Sequence, residues 1–426
     1  MNSKIIIVMS FLLLFSMNFF AQKKYSLDEC KKMAETNNLT LKNSDLEVMS
    51  AEQTSKEAYT KYFPKVEASA FSFSNTRSLV SVDLSGIQVN MLKSGTTAGI
   101  TAIQPIYAGG KITNSNKLSK LGVETSRYQR LVSKNEVLIE TEDSFWQLVA
   151  LVDKQKTLKS VEEQLNSILK KVESSEKVEM SLPNDVLKVK LKINELDAEK
   201  SKINNGIALS KMNLCQQMGL PLDSAETFDI NIPDFKQIES PLVYFVQHNV
   251  AVMDRPEYKL LDKGVEASKI ETKIKLSEYL PSVAVGANYG YDNFTKGDHM
   301  NGAVFATVSI PISDWWGGSH AMKKQKIQEK VAYNRYEQGK QLLLLEMKQI
   351  QNSFEEAYKQ VGLSELGITQ ATENLRLNNN YFKVGTTDIT QVLEAESMLA
   401  QSKNSYTDAC INYYVNKAKY MQATGR

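Results

Sequence analysis

Apolar residues recur along this chain with two different periods, and the places where one period gives way to the other mark out its architecture. Leu158, Val161, Leu165, Ile168 and Val172 return at alternating threes and fours, as do Leu343, Met347, Ile350, Phe354, Ala357 and Val361. That spacing forms a coiled-coil seam on one face of a helix. The proline-free runs carrying these seams extend from about Lys111 to Val178 and from about His320 to Phe382. At about 1.5 Å per residue each helix reaches roughly 100 Å, several times the usual length. Each run turns and is followed by a shorter helix, Asp185 to Met218 and Ile389 to Ala423.

Ahead of each seam the period drops to two. Val283, Val285, Ala287, Tyr289 and Tyr291 share one face, and Val304, Ala306, Val308, Ile310 and Ile312 repeat the pattern. In the first half, residues 66–74 and 96–106 read as the corresponding strands, with residues 75–94 a long polar loop between them. The second-half strands span about 282–291 and 303–312. Each has the length of a tilted strand that crosses a bilayer. An ordinary half-buried sheet has the same alternation; the long helices tip the reading toward the membrane. Ahead of the first strand, Ser26 to Tyr62 reads as one helix, opened by a capping box of Ser26 and Glu29.

Strand passes to helix at two similar junctions. Gln104-Pro105-Ile106-Tyr107-Ala108-Gly109-Gly110 precedes the first long helix, and Ile310-Pro311-Ile312-Ser313-Asp314-Trp315-Trp316-Gly317-Gly318 the second. Proline ends the use of the strand's N–H groups and the glycine pair allows the bend. From Pro105 to Pro311 the shift is 311 less 105, or 206, and it carries Val186-Leu187 onto Val392-Leu393. The chain therefore reads as an internal duplication. Residues 22–218 form the first repeat, 219–241 a proline-rich linker with a possible short strand at 227–232, and 242–426 the second repeat.

The ends and composition narrow the class. Lys4, the apolar run Ile5 to Phe20 and small Ala21 have the form of a secretory signal over residues 1–21. No later run is long enough for a membrane helix, so a return to a membrane would be made by strands. Basic and acidic residues nearly balance, 51 against 49; nothing calls for nucleic acid. Cys30, Cys215 and Cys410 lack metal spacing and read as buried thiols. His248, His299 and His320 are isolated, and no catalytic constellation or cofactor motif is present. Trp315 and Trp316 fall where a strand would leave a bilayer, the level of an aromatic girdle. On the last helix Gln391, Glu394, Met398, Gln401 and Ser405 form a polar face opposite Ile389, Val392 and Leu393.

The order of these pieces resembles the TolC-type outer membrane factor (outer membrane efflux protein) family. Ser26-Leu27-Asp28-Glu29-Cys30 with Ala34 and Asn37-Asn38 is similar to the family's opening helix, and Arg255-Pro256-Glu257 to the start of its second half. Lys383-Val384-Gly385-Thr386-Thr387 with Val392-Leu393-Glu394-Ala395 is similar to its periplasmic turn. The resemblance implies an α+β chain of duplicated helical hairpins and four transmembrane strands. Three copies would share one twelve-stranded barrel in the outer membrane, continued by a helical tunnel in the periplasm. Function would be passive: a non-enzymatic conduit, without cofactor, for substrates passed on by an inner-membrane transporter and a periplasmic adaptor. A soluble periplasmic coiled-coil scaffold or adaptor is the alternative reading of the pattern.

The resemblance also assigns sites. Adaptor docking falls at the turns, Met180, Ser181, Leu182 and Asn184 in one and Gly385, Thr386 and Thr387 in the other. The positions of Gln391 and Glu394 form a constriction, and Asp185 belongs to contacts that hold the entrance shut. The duplication adds Lys188, since 394 less 206 is 188. Thr387 stands where the family has an arginine partner for that closure. The expectation is an entrance closed more by packing than by ion pairs, with mild cation preference.

Overall fold

The computed structural model describes residues 23–78, 80–84, 87–91, 93–178, 182–293 and 299–426. The signal segment and the turn residues Met180 and Ser181 lie outside them. In chain order the elements are β1 (Lys23–Tyr25), α1 (Leu27–Asn37), α2 (Leu39–Thr60), β2 (Lys65–Ser74), β3 (Val80–Leu84), β4 (Ile87–Met91) and β5 (Ser94–Ala108). There follow α3 (Lys111–Glu176), α4 (Pro183–Gln217), β6 (Phe228–Ile230), α5 (His248–Ala251), α6 (Pro256–Ser277), β7 (Ser282–Asp292), β8 (His299–Ser309), α7 (Asp314–Lys383) and α8 (Ile389–Ala423). The long helices, the returning helices and the strand–turn–helix order follow from the sequence periods.

The chain packs as two units, and the long helices α3 and α7 contribute residues to each. One unit comprises the chain up to Ser44, Leu131–Arg255 and Leu342–Arg426. Its core packs Phe354 against Tyr413, tilted, and Tyr420, stacked, at ring separations of 5.2 and 5.9 Å. Buried tyrosines need partners for their hydroxyls, and here the linker and the segment just after it supply them: Tyr413 donates to the Glu239 carbonyl and Tyr420 accepts from the Val246 N–H. β1 pairs in parallel with β6, which fastens the start of the described chain to the same linker. Both seams face inward, with Leu165, Val172, Met347 and Phe354 almost wholly covered and Val161, Ile168, Leu343 and Ile350 half-buried. Cys30, Cys215 and Cys410 are free and buried.

The other unit comprises Asp45–Arg130 and Pro256–Gln341. It holds a four-stranded sheet of order β2-β5-β7-β8, antiparallel throughout. The helices beside it are tied by Lys263–Glu124 at 2.7 Å and by Tyr258–Tyr336, hydroxyl to hydroxyl, at 2.6 Å.

Five expectations are corrected. The opening helix is two helices, because Asn38 is extended, accepts from the Thr40 N–H and donates to the Gln217 carbonyl; an Asn side chain that bonds backbone in this way interrupts one helix and caps the next. The 75–94 segment contains the hairpin β3–β4, registered Val80 to Met91, Val82 to Val89 and Leu84 to Ile87, so its apolar residues have period two. Pro105 does not end β5: the strand continues to Ala108 through a register shift between Pro105 and Tyr107, the bulge that lets proline stay within a sheet. β8 lies three to four residues earlier than its alternation suggests. Its partner β7 begins at Ser282, which pairs with Ser309, so beyond Ser309 there is no ladder to join. Finally, α7 begins at Asp314, which puts Gly317 and Gly318 inside the helix.

Candidate membrane sheet and channel entrance

Register places every residue of the sheet on one of two faces, since directly paired residues of antiparallel strands project to the same side. Val66 pairs with Ala102, Ala102 with Ala287, and Ala287 with Val304. Two residues along, the row reads Ala68, Ile100, Tyr289, Gly302. Tyr289 spreads over Gly302, where a Cβ would lie 3.2 Å from its ring. This face is apolar along the strands, yet Val304 is 86% exposed. The opposite face carries Glu67, Thr101, Asn288 and Ala303 in one row and Ser69, Gly99, Gly290 and Asn301 in another. β2 and β8 are its unpaired edges. The sheet thus has one apolar face, one more polar face and two unpaired edges.

The two junctions solve the exit from this sheet differently. Gly109 and Gly110 have φ of 61° and 83°, and a Cβ on Gly109 would lie 2.6 Å from the Ser277 carbonyl. Gly109→Ala is therefore expected to destabilise by about 1–3 kcal/mol, measurable as a lowered unfolding midpoint in detergent. At the second junction the turn is made at Pro311, where the Asp314 N–H donates to its carbonyl. Gly318 serves close approach: a Cβ there would meet the Tyr279 ring at 2.8 Å. Gly317 has open space around it and no part in the bend. Trp315 donates its indole N–H to the Tyr279 carbonyl at 2.9 Å, and Trp316 is 83% exposed.

At the far ends of the hairpins, α7 stops in a Schellman turn. Thr386 N–H reaches the Tyr381 carbonyl at 2.9 Å, Gly385 N–H reaches Phe382 at 3.1 Å, and Gly385 has φ of 75°. Asp388 then caps α8 through the Gln391 N–H. On the other hairpin Leu182 precedes Pro183 and Asn184 in the first turn of α4, and Leu182 is exposed. Between α4 and α8 runs a groove of about 530 Å³, lined by Lys188, Leu191, Lys192, Thr390, Glu394 and Met398 among others. Lys188 donates to the Thr390 hydroxyl at 3.0 Å and lies 3.5 Å from Asp185. Lys192 pairs with Glu195 within its own helix.

These features have counterparts among known proteins. Residues 257–426 match the model of the family described as outer membrane efflux protein. Nearly the whole chain matches solved channel structures in fold. The outer membrane protein VceC of Vibrio cholerae is 15% identical, with 94% of this chain and 96% of that one covered and a TM-score of 0.78. The CmeC outer membrane channel of Campylobacter jejuni is 14% identical, with 94% and 85% covered and a TM-score of 0.80. The open-state MtrE outer membrane channel of Neisseria gonorrhoeae is 14% identical, with 94% and 88% covered and a TM-score of 0.71. The family resemblance is borne out. None of the curated proteins matches.

Among the residues singled out from the sequence, the structure brings Lys188 and Glu394 to one groove and places Asp185 beside Lys188. Gln391 is exposed one turn before Glu394 and does not line the groove. Thr387 follows the turn and is partly covered. Thr390 escaped the sequence reading because a hydroxyl at one helix position carries no periodic signal.

Glu396 also escaped it, hidden between apolar neighbours in α8. It is 5% exposed, and Gln164 of α3, with its amide turned to donate, reaches both carboxylate oxygens at 3.0 and 2.7 Å. Burial pushes the Glu396 carboxyl above its ordinary value, against the opposing influence of Lys403. A carboxyl raised on folding contributes stability that is full below its ordinary value and is lost as pH rises through the folded one. Glu396→Gln is therefore expected to raise the unfolding midpoint at neutral pH and to flatten its rise on acidification. Thermal melts across that range check it.

Proposed function

We propose that this chain is an outer membrane channel-tunnel: a passive conduit that exports substrates delivered by an inner-membrane pump through a periplasmic adaptor. The observation that carries the reading is the four-stranded sheet, apolar and exposed on one face with both edges unpaired. Open edges are not viable in lipid, so the sheet must be completed by copies of itself. Three chains of four strands give a twelve-stranded barrel, within the range of closed membrane barrels. The apolar face meets lipid and the polar face lines the lumen. In this reading residues 22–218 and 242–426 are two repeats of one design, joined by the linker 219–241. Free energy for export comes from the pump, so the chain needs no catalytic group.

The test is assembly with conductance. Purified mature protein in detergent is expected to have the native mass of a trimer, to fractionate with the outer membrane against carbonate extraction, and to form ion-conducting pores in planar bilayers. A monodisperse monomer that conducts no current would overturn the proposal and favour the periplasmic scaffold.

The turns then become the adaptor's docking points. Gly385→Val places a β-branched residue at positive φ, a cost of about 1–2 kcal/mol confined to an exposed turn. Export is expected to be lost while trimer mass and membrane location stay unchanged; undiminished export would remove this turn from the contact.

A further inference from the structure

Just beyond the strand ends, α2 and α3 enclose a groove of about 470 Å³ lined by Tyr59, Tyr62, Thr113, Asn116, Lys117 and Lys120. Asn116 is buried and donates to the Ala58 carbonyl at 2.9 Å, which fixes the floor by tying the two helices together. Lys117 and Lys120 stand three apart on α3 and so share one helix face. Tyr59 and Tyr62 flank them, their rings 5.5 Å apart. Gln104 links this cluster to the sheet: it pairs with Val285, on the apolar face, and its amide donates to the Tyr62 carbonyl at 2.9 Å. The groove therefore adjoins the apolar face at the end where the helices begin.

Charge sets this groove apart. Farther along α3, Glu124, Arg127 and Arg130 are paired with Lys263, Glu52 and Asp45. Lys117 and Lys120 have no carboxylate within ion-pair distance among the described residues, and from Lys111 to Val123 the chain has no acidic residue at all. The duplication carries them onto Lys323 and Lys326 at the second junction, but there Lys326 pairs with Glu329, and ahead of the strands, where Tyr62-Phe63-Pro64 matches Tyr279-Leu280-Pro281 at a shift of 279 less 62, or 217, Leu276 stands where the first half has Tyr59.

We propose that the groove between α2 and α3 binds the phosphate of an anionic membrane phospholipid, its acyl chains lying against the apolar face beside Val66 and Ala102. The inference rests on the sheet spanning a membrane. Two unpaired ammonium groups supply charge complementarity to a phosphodiester. The tyrosines present an apolar ring and a hydroxyl at the level where a bilayer changes from hydrocarbon to headgroup.

The test uses the full mature chain reconstituted into vesicles of mixed phosphatidylcholine and phosphatidylglycerol, then released into detergent for native mass measurement. Wild type is expected to retain phosphatidylglycerol in preference to phosphatidylcholine. Lys117→Gln with Lys120→Gln should weaken that retention about thirtyfold, the effect of removing two lysines from a membrane surface. Lys323→Gln with Lys326→Gln should leave most of it. Equal retention in wild type and the first double variant would overturn the site, and equal losses in both double variants would reduce it to a diffuse field. Inorganic phosphate is titrated separately into lipid-free protein; tight binding there without phosphatidylglycerol preference would assign the groove to free phosphate and overturn the lipid. Failure to insert into vesicles of either lipid alone would strike the membrane reading itself, and this site with it.

Discussion

Arginine at Val304 is expected to prevent accumulation of assembled channel in the outer membrane, whereas arginine at the neighbouring Ala303 should be tolerated. Val304 sits midway along β8 and pairs with Ala287, midway along β7, on the apolar face. A basic side chain facing lipid at the bilayer centre costs about 2–4 kcal/mol and falls to about 0–1 near the interfaces. Every copy in a symmetric barrel pays this cost, so a trimer carries it three times. Ala303 lies at the same depth but on the other face, opposite Asn288, whose side chain accepts from its N–H; there an arginine would meet water. Val308, on the same face as Val304, pairs with Val283 one residue from the strand ends, and its arginine variant should be nearly silent. Membrane fractionation with native-mass analysis reads the series. Equal behaviour of Val304→Arg and Ala303→Arg would show that the two faces do not separate lipid from lumen.

That face was legible from β7 and β8 because alternation there is unbroken, and legibility failed where a ladder rather than a pattern decides. Ile310 and Ile312 continue the alternation of β8, yet pairing stops at Ser309 because β7 has ended. Gly317 and Gly318 follow Pro311 much as Gly109 and Gly110 follow Pro105, but a helix can contain glycines that its sequence suggests are a bend. The proline-free helices and their buried seams were readable because each burial follows from local spacing. Asn38 was not, because its role depends on the Gln217 carbonyl 179 residues away. Thr390 and Gln164 share that difficulty: each matters through a partner on another helix.

The entrance residues yield the second large effect, on ion selectivity. Lys188→Gln is expected to strengthen cation preference and Glu394→Gln to abolish most of it. Asp185 and Lys188 lie 3.5 Å apart on one helix and nearly cancel at a distance, while Glu394 lines the same groove from α8. Its charge is the surplus. Each chain thus offers about one net negative charge at this level, and a symmetric ring multiplies it into a modest field favouring cations. Removing the Lys188 ammonium exposes the Asp185 carboxylate and roughly doubles the surplus; neutralising Glu394 leaves only the cancelled pair. Since Lys188 also donates to Thr390, its loss releases one polar tie between α4 and α8, and conductance should rise along with selectivity. Thr390→Val separates the two effects, because it breaks the tie without altering charge: conductance should rise and the reversal potential should stay at its wild-type value. Planar-bilayer recordings under a salt gradient measure both quantities at once. If neither charge substitution moved the reversal potential, Lys188 and Glu394 would belong to an ordinary solvated face and the constriction would have to lie elsewhere along the helices.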